Sequence, residues 1–402
     1  MEESLLIKQG TIHNAVDEET FVGDILVVDG KIAKIDAIIG GKEINDAKII
    51  DATGLHIYPG FVDAHSHLGL QGYAVGFESE DFNELNDCVT PQLSAIDAIN
   101  PQDETFAMAR SGGVTCVATG PGSSNVIGGT FCAIKTYGER IDDMIVKKKV
   151  GMKIAFGENP KNCYKQKAVY SRMTIAAKIR EMLHKAEDYN ERKKAAGYPG
   201  DTDIQKMPPY DEKLEALIPV VEGTLPLKAH VHRADDIFTA LRIAEEFGIE
   251  VKLDHVTDGA LIAKELGAAG VSAAVGPSFG HATKYELRHK SFKTAGILAK
   301  AGCNVAVVTD APVIEQRYLA LCAGFAMDAG MSEFDALRSI TLCAAKHIGV
   351  EARVGSIEEG KDADFVFTKE SPFARGAHVL ITMIDGKVVY ESEEMGHLLF
   401  LR

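Results

Sequence analysis

The 402-residue chain holds seven cysteines, Cys88, Cys116, Cys132, Cys163, Cys303, Cys322 and Cys343, and no two of them stand in a CxxC pair. Their odd, scattered placement argues against a disulfide framework, and the missing pair argues against a thiolate zinc site. A reducing cytoplasm is the expected compartment. No run approaches the roughly 20 uninterrupted apolar residues of a membrane helix. The start, Met1-Glu2-Glu3-Ser4, is acidic and leads straight into a strand-like segment, unlike a secretory signal. Basic residues are in deficit, 43 Lys and Arg against 58 Asp and Glu, for a formal charge of −15. Phosphate backbones and anionic lipids call for basic patches, so neither nucleic acid nor membrane is expected as a partner. The expected partner is a small-molecule substrate, and self-association into a homo-oligomer stays open.

What is present is an ordinary globular composition, 46% apolar and 25% charged. The length exceeds one compact core, so a large domain with a smaller one is expected. The first fifty residues read as short strands. Ile25–Val28 leads into Asp29-Gly30, a hairpin dipeptide, and then alternating Lys31–Ile35. The far end has the same texture, with Asp364–Phe367, Val379–Ile384, the turn Asp385-Gly386 and Lys387–Tyr390.

Between these ends, short apolar runs alternate with helical patterns. The strand candidates are Gly60–Ala64, Val114–Ala118, Thr130–Lys135, Lys153–Phe156, Leu227–Val231, Val251–Asp254, Val271–Val275 and Val305–Val308. Such alternation is the signature of an α/β protein built on a (β/α)8 TIM barrel. The barrel is expected over residues 59–352, beside a small β-sandwich domain formed by residues 1–58 together with 353–402. A polar insertion, about Arg180 to Tyr210, reads as a solvated helix end and loop, with a lid over the site as the alternative.

In such barrels the reactive groups stand at the carboxyl ends of the strands. Those ends carry His65 and His67, then Glu158, His230 and His232, His255, and Asp310, the residue types that bind zinc or a similar divalent ion. Residues i and i+2 of a strand share a face, so His65 and His67 both project into the mouth. An isolated HxH pair often lies on a surface strand. Here it ends the apolar run Pro59-Gly60-Phe61-Val62-Asp63-Ala64, which has no other reason to finish in imidazoles. His230 and His255, each alone, read equally well as buried capping histidines, but each opens the loop after one of two successive strands. Asp310 reads either as a helix cap or as the carboxylate that touches the metal and takes the proton from water. His232 is open to ligation, substrate contact or a structural role, with substrate contact preferred.

These residues resemble the amidohydrolase superfamily, in particular its imidazolonepropionase-like and prolidase-like branch. Asp51-Ala52-Thr53-Gly54-Leu55-His56-Ile57-Tyr58-Pro59-Gly60-Phe61-Val62-Asp63-Ala64-His65-Ser66-His67 is similar to that family's passage from sheet into barrel. Gly355-Ser356-Ile357-Glu358-Glu359-Gly360-Lys361-Asp362-Ala363-Asp364-Phe365-Val366 is similar to its return. The resemblance implies metal-dependent hydrolysis of a carbon–nitrogen bond in a small amide, cyclic amide or dipeptide. It implies one or two divalent ions, zinc foremost, held by His65, His67, His230, His255 and Asp310, with Asp310 activating water. A carboxylated lysine or a glutamate after strand four bridges the ions in binuclear members. Glu158, at the strand's end, is the choice here, with Lys153 as the fallback.

Arg233 is a candidate fork for a substrate carboxylate, or else a surface ion pair. His281 is a candidate substrate contact after strand seven. The Gly-rich stretch Pro121–Thr130 fits no phosphate-binding pattern. It reads as a close backbone approach to substrate or as a tight turn. The rival readings are a heterocycle deaminase using the same ligands and a non-catalytic scaffold on the same frame.

Overall fold

The computed structural model describes residues 4–40, 47–73 and 76–393; the acidic start at Met1–Glu3 lies outside them. The N-terminal part supplies β1 (Ser4–Ile12), β2 (Phe21–Val28), β3 (Lys31–Asp36), β4 (Lys48–Asp51) and β5 (His56–Pro59). β2 and β3 are joined by Asp29-Gly30, whose φ angles of 48° and 75° fit the two-residue turn that this dipeptide favours.

The barrel strands are β6 (Phe61–Ser66), β7 (Val114–Thr119), β8 (Ile127–Lys135), β9 (Ile145–Ala155), β10 (Leu227–Val231), β11 (Val251–His255), β12 (Ser272–Val275) and β13 (Asn304–Val307). They form one eight-stranded sheet in sequential order. It is nearly closed where β13 meets β6: the Asp310 N–H donates to the His65 carbonyl at 3.2 Å, and the His67 N–H to the Ala311 carbonyl at 2.8 Å. The chain then returns to the first sheet with β14 (Phe365–Thr368), β15 (Ile381–Ile384) and β16 (Lys387–Glu391), in the order β16-β15-β14-β5-β1-β2-β3, with β4 beside β1. Both termini thus build one separate sheet.

All eight expected strands are present, but strict alternation with helices is not. β8 pairs antiparallel with both β7 and β9, whereas the other barrel pairs are parallel. A parallel pair needs a crossover of a dozen or more residues. Residues 120–126, between β7 and β8, are too few for one, so the chain turns straight back. β8 therefore descends from the mouth, and its last residue, Lys135, reaches the opposite end.

At that end Lys135 meets the return segment. Its ammonium lies 2.6 Å from Asp364, 2.9 Å from Asp362 and 3.2 Å from Asp385, almost wholly buried. The crossing from sheet to barrel is equally tight. Gly60 sits between β5 and β6, and a Cβ there would stand 2.2 Å from the Thr115 hydroxyl.

The polar insertion is a helix, Arg172–Ala195, followed by irregular chain. Ile175, Ile179 and Leu183 are buried on one face of it, the spacing of a helix packed on a core. No residue from 180 to 210 lines the cleft described below, so the lid alternative has no support. Among the described residues no helix is long and apolar enough to cross a membrane.

Candidate metal centre and active-site cleft

The barrel mouth gathers imidazoles from three strand ends. His67, His65, His255, His230 and His232 form an arc, with successive ring centroids 5.5, 5.0, 4.4 and 4.7 Å apart. Asp310 joins the first pair: its Oδ1 lies 3.4 Å from His65 Nε2 and 3.3 Å from His67 Nε2. The Asp310 side chain is 16% exposed, which opens the cluster to the cleft.

Local hydrogen bonds set the tautomers. His67 Nδ1 lies 2.7 Å from the Gly120 carbonyl and His255 Nδ1 lies 2.7 Å from the Gly276 carbonyl. A carbonyl only accepts, so both rings carry the proton on Nδ1 and turn an Nε2 lone pair into the mouth. His232 Nδ1 is 2.7 Å from the Thr257 hydroxyl. The Nε2 atoms of His65, His230 and His255 are buried without any hydrogen-bond partner. Unpaired buried nitrogens are costly, and a divalent ion is the species that suits lone pairs so arranged.

Electrostatics keep these rings neutral, the form that ligates. Burial lowers His65, takes His255 down to about 3, and holds His230 and His232 well below their ordinary value, with neighbouring imidazoles adding to the last two. For Asp310, burial works to raise the pKa, but His255, His65 and His67 outweigh it and keep the carboxyl well below the usual range. Two of these residues sit in left-handed backbone: φ is 74° at His255 and 53° at Asp310, with Val256 between strand and loop at 46°. A β-branched residue there is a genuine outlier, and such strain clusters at functional sites.

Beneath the arc, charged side chains fill part of the barrel interior. Asp254 has no exposed surface; its Oδ2 lies 3.2 Å from His65 Nδ1 and 3.2 Å from Lys153 Nζ. The first contact is out of line for a hydrogen bond. Asp254 Oδ1 accepts from Lys228 Nζ at 2.6 Å and lies 3.6 Å from His347 Nε2. Burial would raise Asp254, but His65, Lys228 and Lys153 hold it well below its ordinary value. Burial lowers Lys153 toward the neutral amine.

The arc opens into a cleft of about 470 Å3 whose wall includes His65, His67, His230, His232, His255, His281 and Asp310. Gly122, Ser123 and Ser124 of the Gly-rich stretch line it too, alongside Phe82, Asn83 and the segment from Pro277 to Lys290.

Two expected site residues are not brought there. Glu158 follows Gly157, whose φ of 85° turns the chain into the helix Glu158–Tyr164. A Cβ at Gly157 would stand 2.3 Å from a Glu286 carboxylate oxygen. Glu158 instead accepts from the Glu286 N–H at 2.8 Å, and Glu286 accepts from the Glu158 N–H at 2.9 Å. Arg233 does not line the cleft, and its Nε/Nη2 edge is paired with Asp235 at 2.9 and 2.7 Å.

Sequence reasoning passed over Asp254, Lys228, Lys284, Glu286 and Lys290. For the first two a signal existed, since each is a charge set within an apolar strand run. Glu286 is wholly buried, with Lys284 at 2.7 Å, Arg172 at 3.6 Å and His232 at 3.9 Å.

A barrel with imidazoles and one carboxylate converging at the strand ends defines a class, the metal-dependent hydrolases of TIM-barrel fold. Comparison narrows it. Residues 220–389 match the model of the amidohydrolase family. An amidohydrolase of known structure from Thermotoga maritima is 39% identical, and the match covers 96% of this chain and all of that one with a TM-score of 0.92. Amidohydrolase tasK of Hapsidospora irregularis is 28% identical over 399 residues, 92% of this chain, although the chain spans only 40% of that relative's length. Imidazolonepropionase of Symbiobacterium thermophilum is 26% identical over 395 residues, covering 86% of this chain and 83% of the relative. The chain belongs to the amidohydrolase family.

Proposed function

We propose that the protein hydrolyses a carbon–nitrogen bond of a small amide, cyclic amide or dipeptide with the help of one or two divalent ions, zinc foremost. His65, His67, His230, His255 and Asp310 would hold the metal. Lys153, buried beside Asp254, suits the bridging place better than Glu158, whose carboxylate is engaged elsewhere. The chemistry such ions supply is Lewis acidity, which polarises a carbonyl and acidifies water.

The chain's own residues do the rest. Asp310, ionised and open to the cleft, accepts the proton of the attacking water and returns it to the leaving nitrogen. The water oxygen bonds to the acyl carbon, the C–N bond breaks, and an acid and an amine result. His232 and His281, both on the cleft wall, contact the substrate. A cleft of this size has room for a dipeptide or a small ring.

The observation that carries the reading is the set of buried, partnerless Nε2 atoms of His65, His230 and His255 at the barrel mouth, with Asp310 3.4 Å from the first. The test measures metal content and hydrolysis on one sample, screened against N-acyl amino acids, dipeptides and cyclic amides before and after chelation. Metal-free protein of undiminished activity would overturn it. Release of ammonia from heterocycles, without hydrolysis of amides, would favour a deaminase instead.

A further inference from the structure

The segment after β12 supplies Pro277, Phe279, His281, Lys284, Leu287 and Lys290 to the cleft wall. It brings two ammonium groups, and they are placed differently. Lys284 is compensated, 2.7 Å from Glu286 and 2.9 Å from the Asn159 side-chain oxygen. Lys290 is partly buried and has no carboxylate partner among the described residues; its contacts are the carbonyls of Phe279 at 2.5 Å and His281 at 3.2 Å. Burial alone shifts its pKa, downward.

An ammonium has three protons to donate. Two are spent on neutral carbonyls, so one donor and a full positive charge remain at the cleft. The group is also pre-positioned, because Phe279 is fixed between Phe292 and Phe325 at centroid distances of 5.1 and 5.0 Å. A partly desolvated charge without a counter-ion is unfavourable, and an anionic ligand group relieves it. Among the described residues Asp310 is the one acidic residue on the cleft wall, and it is engaged with His65 and His67.

We propose that Lys290 docks a carboxylate carried by the substrate, which makes that substrate an N-acyl amino acid or a dipeptide rather than a neutral amide. This rests on the hydrolase reading for the reaction but not for the docking group itself. It gives the segment after β12 the role of selecting substrate by charge.

The experiment compares a panel of N-acetyl-L-amino acids with their C-terminal amides, using metal-loaded protein. The acids are expected to be preferred in kcat/KM by about 10- to 100-fold, the value of one charge-assisted hydrogen bond, mostly through KM. Lys290→Met removes that preference by weakening the acids alone, while Lys290→Arg keeps it. Equal use of acids and amides by the unaltered protein, or a preference that survives in Lys290→Met, overturns the proposal. Binding separates the two readings if no panel member is turned over. Calorimetric titration of the same acids into Asp310→Asn protein, with and without Lys290→Met, then decides: acid binding lost with Lys290 supports the docking group, and no acid binding overturns it.

Discussion

The carboxylate of Asp254 approaches His65 Nδ1 to 3.2 Å through one oxygen while the other oxygen takes a 2.6 Å hydrogen bond from Lys228. One wholly buried acid thus links a candidate ligand to the charged interior of the barrel. Its charge raises the basicity of His65 and compensates the two buried lysines.

Replacing that acid removes both services. Asp254→Asn leaves Lys153 and Lys228 buried with no carboxylate between them. Destabilisation of about 3–5 kcal/mol is expected in chemical denaturation, as for other broken buried pairs. Metal affinity falls about 10- to 100-fold, read by competition with a chelating dye. Unchanged values for both would remove Asp254 from this role.

The two bridging candidates separate in metal content. Glu158→Gln is expected to retain the full metal complement, because that carboxylate serves the Glu286 backbone. Lys153→Met is expected to lower it. Elemental analysis of the purified variants checks both, and metal lost from Glu158→Gln alone would reverse the assignment.

Asp310→Asn keeps the size of the side chain but removes the proton acceptor. Loss of about 10²- to 10⁴-fold in kcat is expected with the circular dichroism spectrum unchanged. Retention of more than a tenth of the activity would place the base elsewhere.

Acid acts on the buried imidazoles. Burial takes His347 down to about 4 and His255 down to about 3, from an ordinary 6.5. Below pH 6.5 the unfolded chain binds protons at these rings that the folded chain refuses. Stability therefore falls as the pH drops, through about 4 for His347 and about 3 for His255. Each such ring contributes a slope of about 1.4 kcal/mol per pH unit. Asp63 works the other way: burial pushes it up to about 6, so its effect on stability declines as the pH rises from 3.8 to about 6. Burial raises Asp236 and Asp364 as well, but these three carboxyls oppose the six lowered imidazoles of His13, His65, His230, His232, His255 and His347, so the chelated protein is expected to have a lower denaturation midpoint at pH 5 than at pH 7.5. An equal or higher midpoint would contradict this.

The barrel and the terminal sheet also share a charge. Burial alone would lower Lys135, but Asp364, Asp385 and Asp362 together raise it. Lys135→Met strands those carboxylates, with an expected loss of about 3–5 kcal/mol. Differential scanning calorimetry measures it, and a variant melting with the unaltered protein would show the contact to be dispensable.

Much of this was legible in the residues. The Asp29-Gly30 and Asp385-Gly386 turns, the barrel strands and the histidines and aspartate at their ends all follow from period, turn chemistry and position along the chain. What escaped was orientation. Thr130–Lys135 reads as a strand whichever way it runs, and nothing in its apolar pattern marks it as descending. Glu158 was placed by its position after a strand, yet the left-handed Gly157 and a backbone partner 128 residues away redirect it. Arg233 pairs with an aspartate two positions on and stands off the cleft wall. The converse error is more instructive: Lys228 and Asp254 interrupt apolar runs, and a charge in such a run signals a partner across the barrel.

A stave that runs backwards also limits what the rim can become. An ordinary barrel carries eight separate loops above its cleft, each free to lengthen without disturbing its neighbours. Here residues 120–126 serve two staves as a single bend, and the next connection, 136–144, faces the far side. Lengthening that bend would pull on both strands at once. On this flank, then, changes of preference come by exchanging residues such as Ser123 and Ser124, while insertions fall to the segments after β6 and β12.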